Sequence, residues 1–85
     1  MKILQTPVFE KDAKRLDGGL RKRLGKTIEK IAANPLFGKP LRHAPCFFSE
    51  RIENFRLVYR FQNNELLLIC FKNRDEVYQY LKGLT

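Results

Sequence analysis

Acidic residues are scarce in this chain. It carries 9 Asp+Glu against 17 Lys+Arg in 85 residues, a formal net charge of +8. So large an excess makes nucleic acid or an acidic protein the natural partner, the plain alternative being a soluble basic protein whose charge serves no ligand. Cysteine is nearly absent. Cys46 falls in a loop and Cys70 in an apolar strand, with His43 as the one further candidate ligand. A structural zinc site needs four ligands, so none is expected; Cys70 reads as a small buried hydrophobe, and both thiols as reduced. Long hydrophobic runs are missing too. The longest, Leu66 to Phe71, falls far short of the roughly 20 residues that a bilayer-spanning helix needs, and the chain opens directly on Lys2-Ile3-Leu4. A cytoplasmic protein without membrane contact is expected. The length sets one further bound: a single domain, 1–85, that buries only roughly 60–70% of its unfolded surface, leaving little room for an internal cofactor cavity. No cofactor is expected, and any site should be an open groove.

What is present is an alternating basic and aromatic text. From Phe55, the positions Phe55, Leu57, Tyr59 and Phe61 face one side of a strand, while Arg56, Val58 and Arg60 face the other. One side is core, and the other displays guanidinium groups whose planar forks suit phosphate oxygens.

The remaining elements follow from punctuation and period. Lys2 to Gln5 reads as a first strand, and Thr6-Pro7 as a helix start, with Thr6 capping and Pro7 where its missing N–H costs nothing. Phe9, Ala13 and Leu16 recur at helical spacing until Gly18-Gly19, read as a tight turn. A second helix follows, with Leu20, Leu24, Ile28 and Ile31 on one face, and it ends at Asn34-Pro35. Pro35 to Cys46 reads as loop. Three strands come next, Phe47 to Glu53, Phe55 to Gln62 and Glu65 to Lys72, with Asn63-Asn64 as a hairpin turn, and short links make them antiparallel. The last is apolar on both faces and so expected inside the sheet. A helix from Asp75 to about Leu81 closes the chain. The order βααβββα predicts an α+β domain, a helical hairpin on one face of an antiparallel sheet and a basic groove on the other.

These residues carry a resemblance. Asn34-Pro35-Leu36-Phe37-Gly38-Lys39-Pro40-Leu41, then Ser49-Glu50-Arg51-Ile52 with Phe55-Arg56-Leu57-Val58-Tyr59-Arg60, and last Arg74-Asp75-Glu76-Val77-Tyr78, taken in order over almost the whole chain, resemble the RelE/ParE toxin superfamily, and within it the RelE and YoeB messenger-RNA interferases. The resemblance implies the toxin of a type II toxin–antitoxin pair that enters the ribosomal A site, contacts ribosomal RNA and cuts messenger RNA there. It also implies a cognate antitoxin, acidic and partly disordered alone, that folds on binding. Cleavage of this kind requires the ribose 2′-OH to lose a proton and attack phosphorus, the 5′-oxygen to be protonated as it leaves, and the added negative charge to be offset. The sequence offers no carboxylate cluster to hold a metal.

By the same resemblance Arg56 would hold the scissile phosphate, Tyr78 would act as acid or base or position the 2′-OH, and Arg74 would donate to the phosphate or the leaving oxygen. Their bland counterparts are a surface arginine paired to a glutamate, an aromatic packing the last helix on the sheet, and an idle helix-start arginine. Lys39, Arg42, Arg51, Arg60 and Lys72 are the candidates for RNA and phosphate contact. Two departures stand out: Lys39 occupies the place of a catalytic glutamate in one branch, and Asp75 replaces a second arginine. His43, the one imidazole, is read as structural or exposed rather than as the base. The basic face of the second helix, Arg21, Lys22, Arg23, Lys26 and Lys30, either tracks RNA or is simply solvated. Two other functions stay open: a ParE-like gyrase inhibitor, a branch that generally lacks the basic-plus-tyrosine groove, and a catalytically degenerate RNA-binding or repressor subunit.

Overall fold

Thr6 begins the helical part of the chain as expected. In the computed structural model, which describes residues 1–42 and 44–83, its hydroxyl accepts from the Phe9 N–H at 3.0 Å and donates to the Ile69 carbonyl at 2.6 Å. One side chain thus caps a helix and ties it to a strand. The elements are β1 (Lys2–Gln5), α1 (Pro7–Lys14), α2 (Gly18–Ala33), β2 (Lys39–Pro40), β3 (Phe47–Ile52), β4 (Phe55–Gln62), β5 (Glu65–Asn73) and α3 (Arg74–Gly83). They form a five-stranded sheet in the order β1-β5-β4-β3-β2.

Four details depart from the sequence reading. Gly18 and Gly19 are not the turn; they open α2, because Asp17 caps it by accepting from Leu20 N–H at 2.8 Å. The stretch read wholly as loop contains β2, whose Lys39 and Pro40 pair with Ser49 and Phe48. The sheet is mixed rather than purely antiparallel, since β1 pairs in parallel with β5 while β3, β4 and β5 are antiparallel as expected. Strand β3 ends at Ile52 and not at Glu53, which takes φ 55 and turns into β4 with Asn54; Asn63 and Asn64, at φ 52 and 58, form the expected two-residue hairpin between β4 and β5.

Two apolar layers flank the sheet. Phe9, Leu24 and Ile31 from the first two helices pack with Phe48, Leu57, Tyr59, Leu66, Leu68 and Phe71. On the opposite face Val77 of α3 closes over Val58, Ile69 and Cys70. The β4 alternation therefore holds. That of β5 does not: Val58 faces Cys70 but Tyr59 faces Leu68, so Ile69 is the extra residue of a bulge, and Ile69 and Cys70 both lie under α3. Helix α1 straddles the edge of β5 that β1 leaves uncovered, with Val8 on one layer and Phe9 on the other. There Asp12, 6% exposed, accepts from the Phe71 N–H at 3.0 Å and from Lys72 Nζ at 2.9 Å. A carboxylate replaces the missing strand neighbour.

Candidate functional site

Cross-strand register brings the basic residues together. Arg51 of β3 lies directly opposite Arg56 of β4, and Lys39, Ser49 and Val58 form the adjoining row on the same face. Helix α3 crosses this face. Because Val77 is buried against the sheet, Arg74 and Tyr78, four residues apart, share a flank of the helix turned along the strands. Between them lies a cleft of about 460 Å³, walled by Lys39, Arg42, Arg56, Arg74 and Tyr78 and floored by Ser49, Val58 and Val77. Arg56 and Arg74 also border a second depression of about 260 Å³, with Arg51, Asn54 and Asn73 on its far side. Among the described residues, Lys39, Arg42 and Arg56 have no hydrogen-bonding or ion-pair partner for their side chains. The glutamate-paired alternative for Arg56 is therefore not what the fold contains.

Tyr78 stands 54% exposed at the rim, so the view of it as a packing aromatic is not met. The Arg74 Nε donates to its hydroxyl at 3.4 Å, and the guanidinium carbon lies 5.6 Å from the ring centroid. That hydrogen bond first, and the Arg74 charge second, hold the phenol below its usual range; Arg56 adds to the effect, while desolvation and Asp75 oppose it. The reciprocal hydrogen bond and the phenol's charge raise Arg74. A hydroxyl whose pKa is lowered by Arg74 and that stands near the unpaired Arg56 guanidinium is suited to proton transfer next to an anion.

Two of the sequence candidates are not brought here. Arg60 shares the Arg56 face but lies four residues along the strand, roughly 13 Å away, where it faces Glu65 at 3.8 Å and borders neither cleft. Lys72 starts in the row of Arg51 and Arg56, yet its ammonium turns to the sheet edge, paired with Asp12 and 5.7 Å from the Tyr80 ring centroid. His43 lies outside the described residues. Among the described residues no group of three or more His, Cys, Asp or Glu is placed to hold a metal ion. Among the described residues no helix is long and apolar enough to cross a membrane. Of the basic face of α2, Arg23 pairs with Glu53 at 2.7 Å and Arg21 donates to the carbonyls of Lys14 and Leu16, so part of that charge serves the fold.

Sequence reasoning passed over the hydroxyl of Tyr59, which it placed in the core for its ring alone. The hydroxyl accepts from the Gly38 N–H at 2.8 Å and donates to the Pro35 carbonyl at 3.0 Å. Burial raises its pKa, with the Gly38 hydrogen bond opposing and Glu50 adding. This clasp fixes the segment that delivers Lys39 to the cleft. The signal was a tyrosine in an otherwise apolar face, since a buried phenol needs a partner.

The fold, together with a family-model match, places the chain in a class of protein, the RelE/ParE toxin superfamily. The isolated RelE toxin of E. coli is 22% identical, with a TM-score of 0.78 over 99% of this chain and 98% of that one. A chain of the RelB–RelE antitoxin–toxin complex from Methanococcus jannaschii, also 22% identical, gives 0.76 over 91% and 96%. The YoeB dimer from Staphylococcus aureus gives 0.74 at 21% identity, over 87% and 97%. No curated protein sequence matches the chain. The family model described as ParE toxin of type II toxin–antitoxin system, parDE, matches residues 3–78. The chain belongs to that toxin family, on a RelE-like α+β fold.

Proposed function

We propose that the protein is a messenger-RNA endoribonuclease that acts at the ribosomal A site and arrests translation as a cytoplasmic toxin. The observation that carries this reading is the unpaired Arg56 guanidinium set across a cleft from Tyr78, whose hydroxyl accepts a hydrogen bond from Arg74 that lowers its pKa. The Tyr78 phenolate takes the proton of the ribose 2′-OH. The 2′-oxygen then bonds to phosphorus, the bond from phosphorus to the 5′-oxygen breaks, and the products are a 2′,3′-cyclic phosphate and a 5′-hydroxyl. Arg56 and Arg74 offset the charge that builds on the phosphoryl oxygens. The leaving oxygen needs a proton, which a guanidinium does not release but the ammonium of Lys39 can. Nothing in this sequence of bond changes asks for a metal. An acidic antitoxin segment laid over the same cations is the expected partner, in keeping with neighbours such as the intact E. coli RelBE toxin–antitoxin complex.

The test is messenger cleavage by the purified protein, with and without ribosomes, mapped by primer extension. Cuts within ribosome-bound codons that Arg56→Ala suppresses are the expected result. The match to the ParE family model favours a second reading, inhibition of gyrase without cleavage. Intact messenger together with blocked DNA supercoiling would establish that one in place of the first, and no effect in either assay would leave an RNA-binding or repressor subunit.

A further inference from the structure

The depression on the far side of Arg56 and Arg74 has a chemistry of its own. Arg51 and Arg56 are cross-strand partners, so two like charges start from Cα atoms roughly 4.5–5.5 Å apart, an arrangement that weakens a sheet. Neither has an acidic partner among the described residues. Arg51 commits only its Nε, to the Glu53 carbonyl at 3.0 Å, which leaves both terminal nitrogens open. Asn73 caps α3 by accepting from the Glu76 N–H at 2.9 Å, so its amide N–H groups are also free to donate. Asn54 adds another amide, and Asp75 is the one carboxylate on the wall. Phe55 borders the site, but its ring is stacked on Phe71 at 5.1 Å, within the apolar layer. The wall therefore presents mainly N–H donors and positive charge, with one face of the Phe55 ring already taken by stacking.

We propose that this depression is a second phosphate subsite, which takes the phosphodiester adjoining the one held in the Tyr78 cleft. Arg56 and Arg74, common to both cavities, then stand between two successive phosphates of one strand. Arg51, Asn54 and Asn73 are the residues particular to the second. The inference rests on the nucleic-acid reading of the first cleft, but it concerns binding and not cleavage.

The test uses ligands that cannot be cut: a 2′-deoxy dinucleotide with one phosphodiester and a 2′-deoxy trinucleotide with two, titrated by NMR at several salt concentrations. Each phosphate neutralised steepens the fall of log K with log salt, by roughly 0.7 on a long single strand and by less on ligands this short, which condense fewer counterions. The wild type should show one such increment between the two ligands, Arg51→Gln should abolish it, and Asp75→Asn should tighten the trinucleotide. Lys11→Gln, the same charge loss on the remote helix α1, should keep the increment. A wild type without it, or an Arg51→Gln variant that retains it, overturns the proposal. A protein that shows the increment yet cuts no messenger keeps the subsite and loses the ribonuclease reading; one that cuts without the increment loses the subsite alone.

Discussion

Replacing Asp12 by alanine should come close to unfolding the domain. Its carboxylate is buried and satisfies two groups at once, the buried Phe71 N–H on the edge of β5 that has no strand neighbour and the Lys72 ammonium, whose side chain is only 19% exposed. An orphaned buried N–H costs about 1–3 kcal/mol. Breaking a buried ion pair costs about 3–5 kcal/mol, less here because the lysine can swing its head toward water. Together these give about 3–5 kcal/mol, against the roughly 4–13 kcal/mol total expected of a domain this size. With a urea slope near 1 kcal/mol per molar, the midpoint should fall by about 3–5 M. Asp12→Asn keeps an acceptor for Phe71 and loses the charge, so it should cost about 1–3 kcal/mol. Removing the ammonium as well, in the double variant Asp12→Ala with Lys72→Met, should return about half of the loss, since an apolar replacement leaves no stranded charge. Equilibrium urea denaturation measures all of this, and hydrogen exchange at the Phe71 amide reports the edge itself. An Asp12→Ala variant within 1 kcal/mol of the wild type, or additive single effects of Asp12 and Lys72, would refute the edge-capping argument.

Three further outcomes are expected. A Cβ at Gly38 would stand 2.7 Å from the Tyr59 hydroxyl and 2.9 Å from the Ser49 carbonyl, so Gly38→Ala should destabilise by about 1–3 kcal/mol. Tyr59→Phe, which strands the Gly38 N–H, should cost a similar amount, about 1–3 kcal/mol; thermal denaturation of both checks the clasp. The native pKa of Tyr78 is lowered, so any stability linked to it is fully present above the unfolded value of about 10 and is lost as the pH falls through the native value. An alkaline absorbance titration should accordingly show a phenolate step below pH 10 that Tyr78→Phe removes and Arg74→Gln moves upward, and a cleavage rate rising with pH should follow the same shift. Burial, chiefly, pushes the Cys70 thiol up to about 12, with Asp12 adding and Lys72 opposing, while Cys46 is exposed. A thiol reagent at neutral pH should therefore label one cysteine of the native protein promptly and the second only in denaturant.

Local signals were legible in the sequence because the physics behind them is local. Thr6-Pro7 states the start of α1, Asn34-Pro35 the end of α2, and Asn63-Asn64 a left-handed hairpin turn, each through the backbone of a few residues. The alternation of β4 was legible because arginine marks one side of it. What was hidden depends on partners far away in the chain. Asp12 reads as a polar position on a helix until β5 supplies an N–H and an ammonium, each about sixty residues on. For the same reason Lys72, an obvious cation in the sequence, turns out to be engaged at the sheet edge. Asp17 took the capping role that made the two glycines helical, which the turn propensity of Gly-Gly conceals.

The bulge in β5 was hidden for a different reason, and it governs the site. Leu66 to Phe71 are all apolar, so a change of phase between Leu68 and Phe71 leaves no trace in the pattern of hydrophobic and polar residues. Its effect is to turn two successive side chains, Ile69 and Cys70, toward α3 and so widen the apolar seat on which Val77 rests. The seat fixes the rotation of the helix. With Val77 directed into the sheet, Arg74 and Tyr78 can only lie along the flank that overlooks Arg56, and the hydrogen bond between them forms there. Two polar residues of the cleft thus owe their direction to an irregularity in a strand that contributes no polar side chain to it.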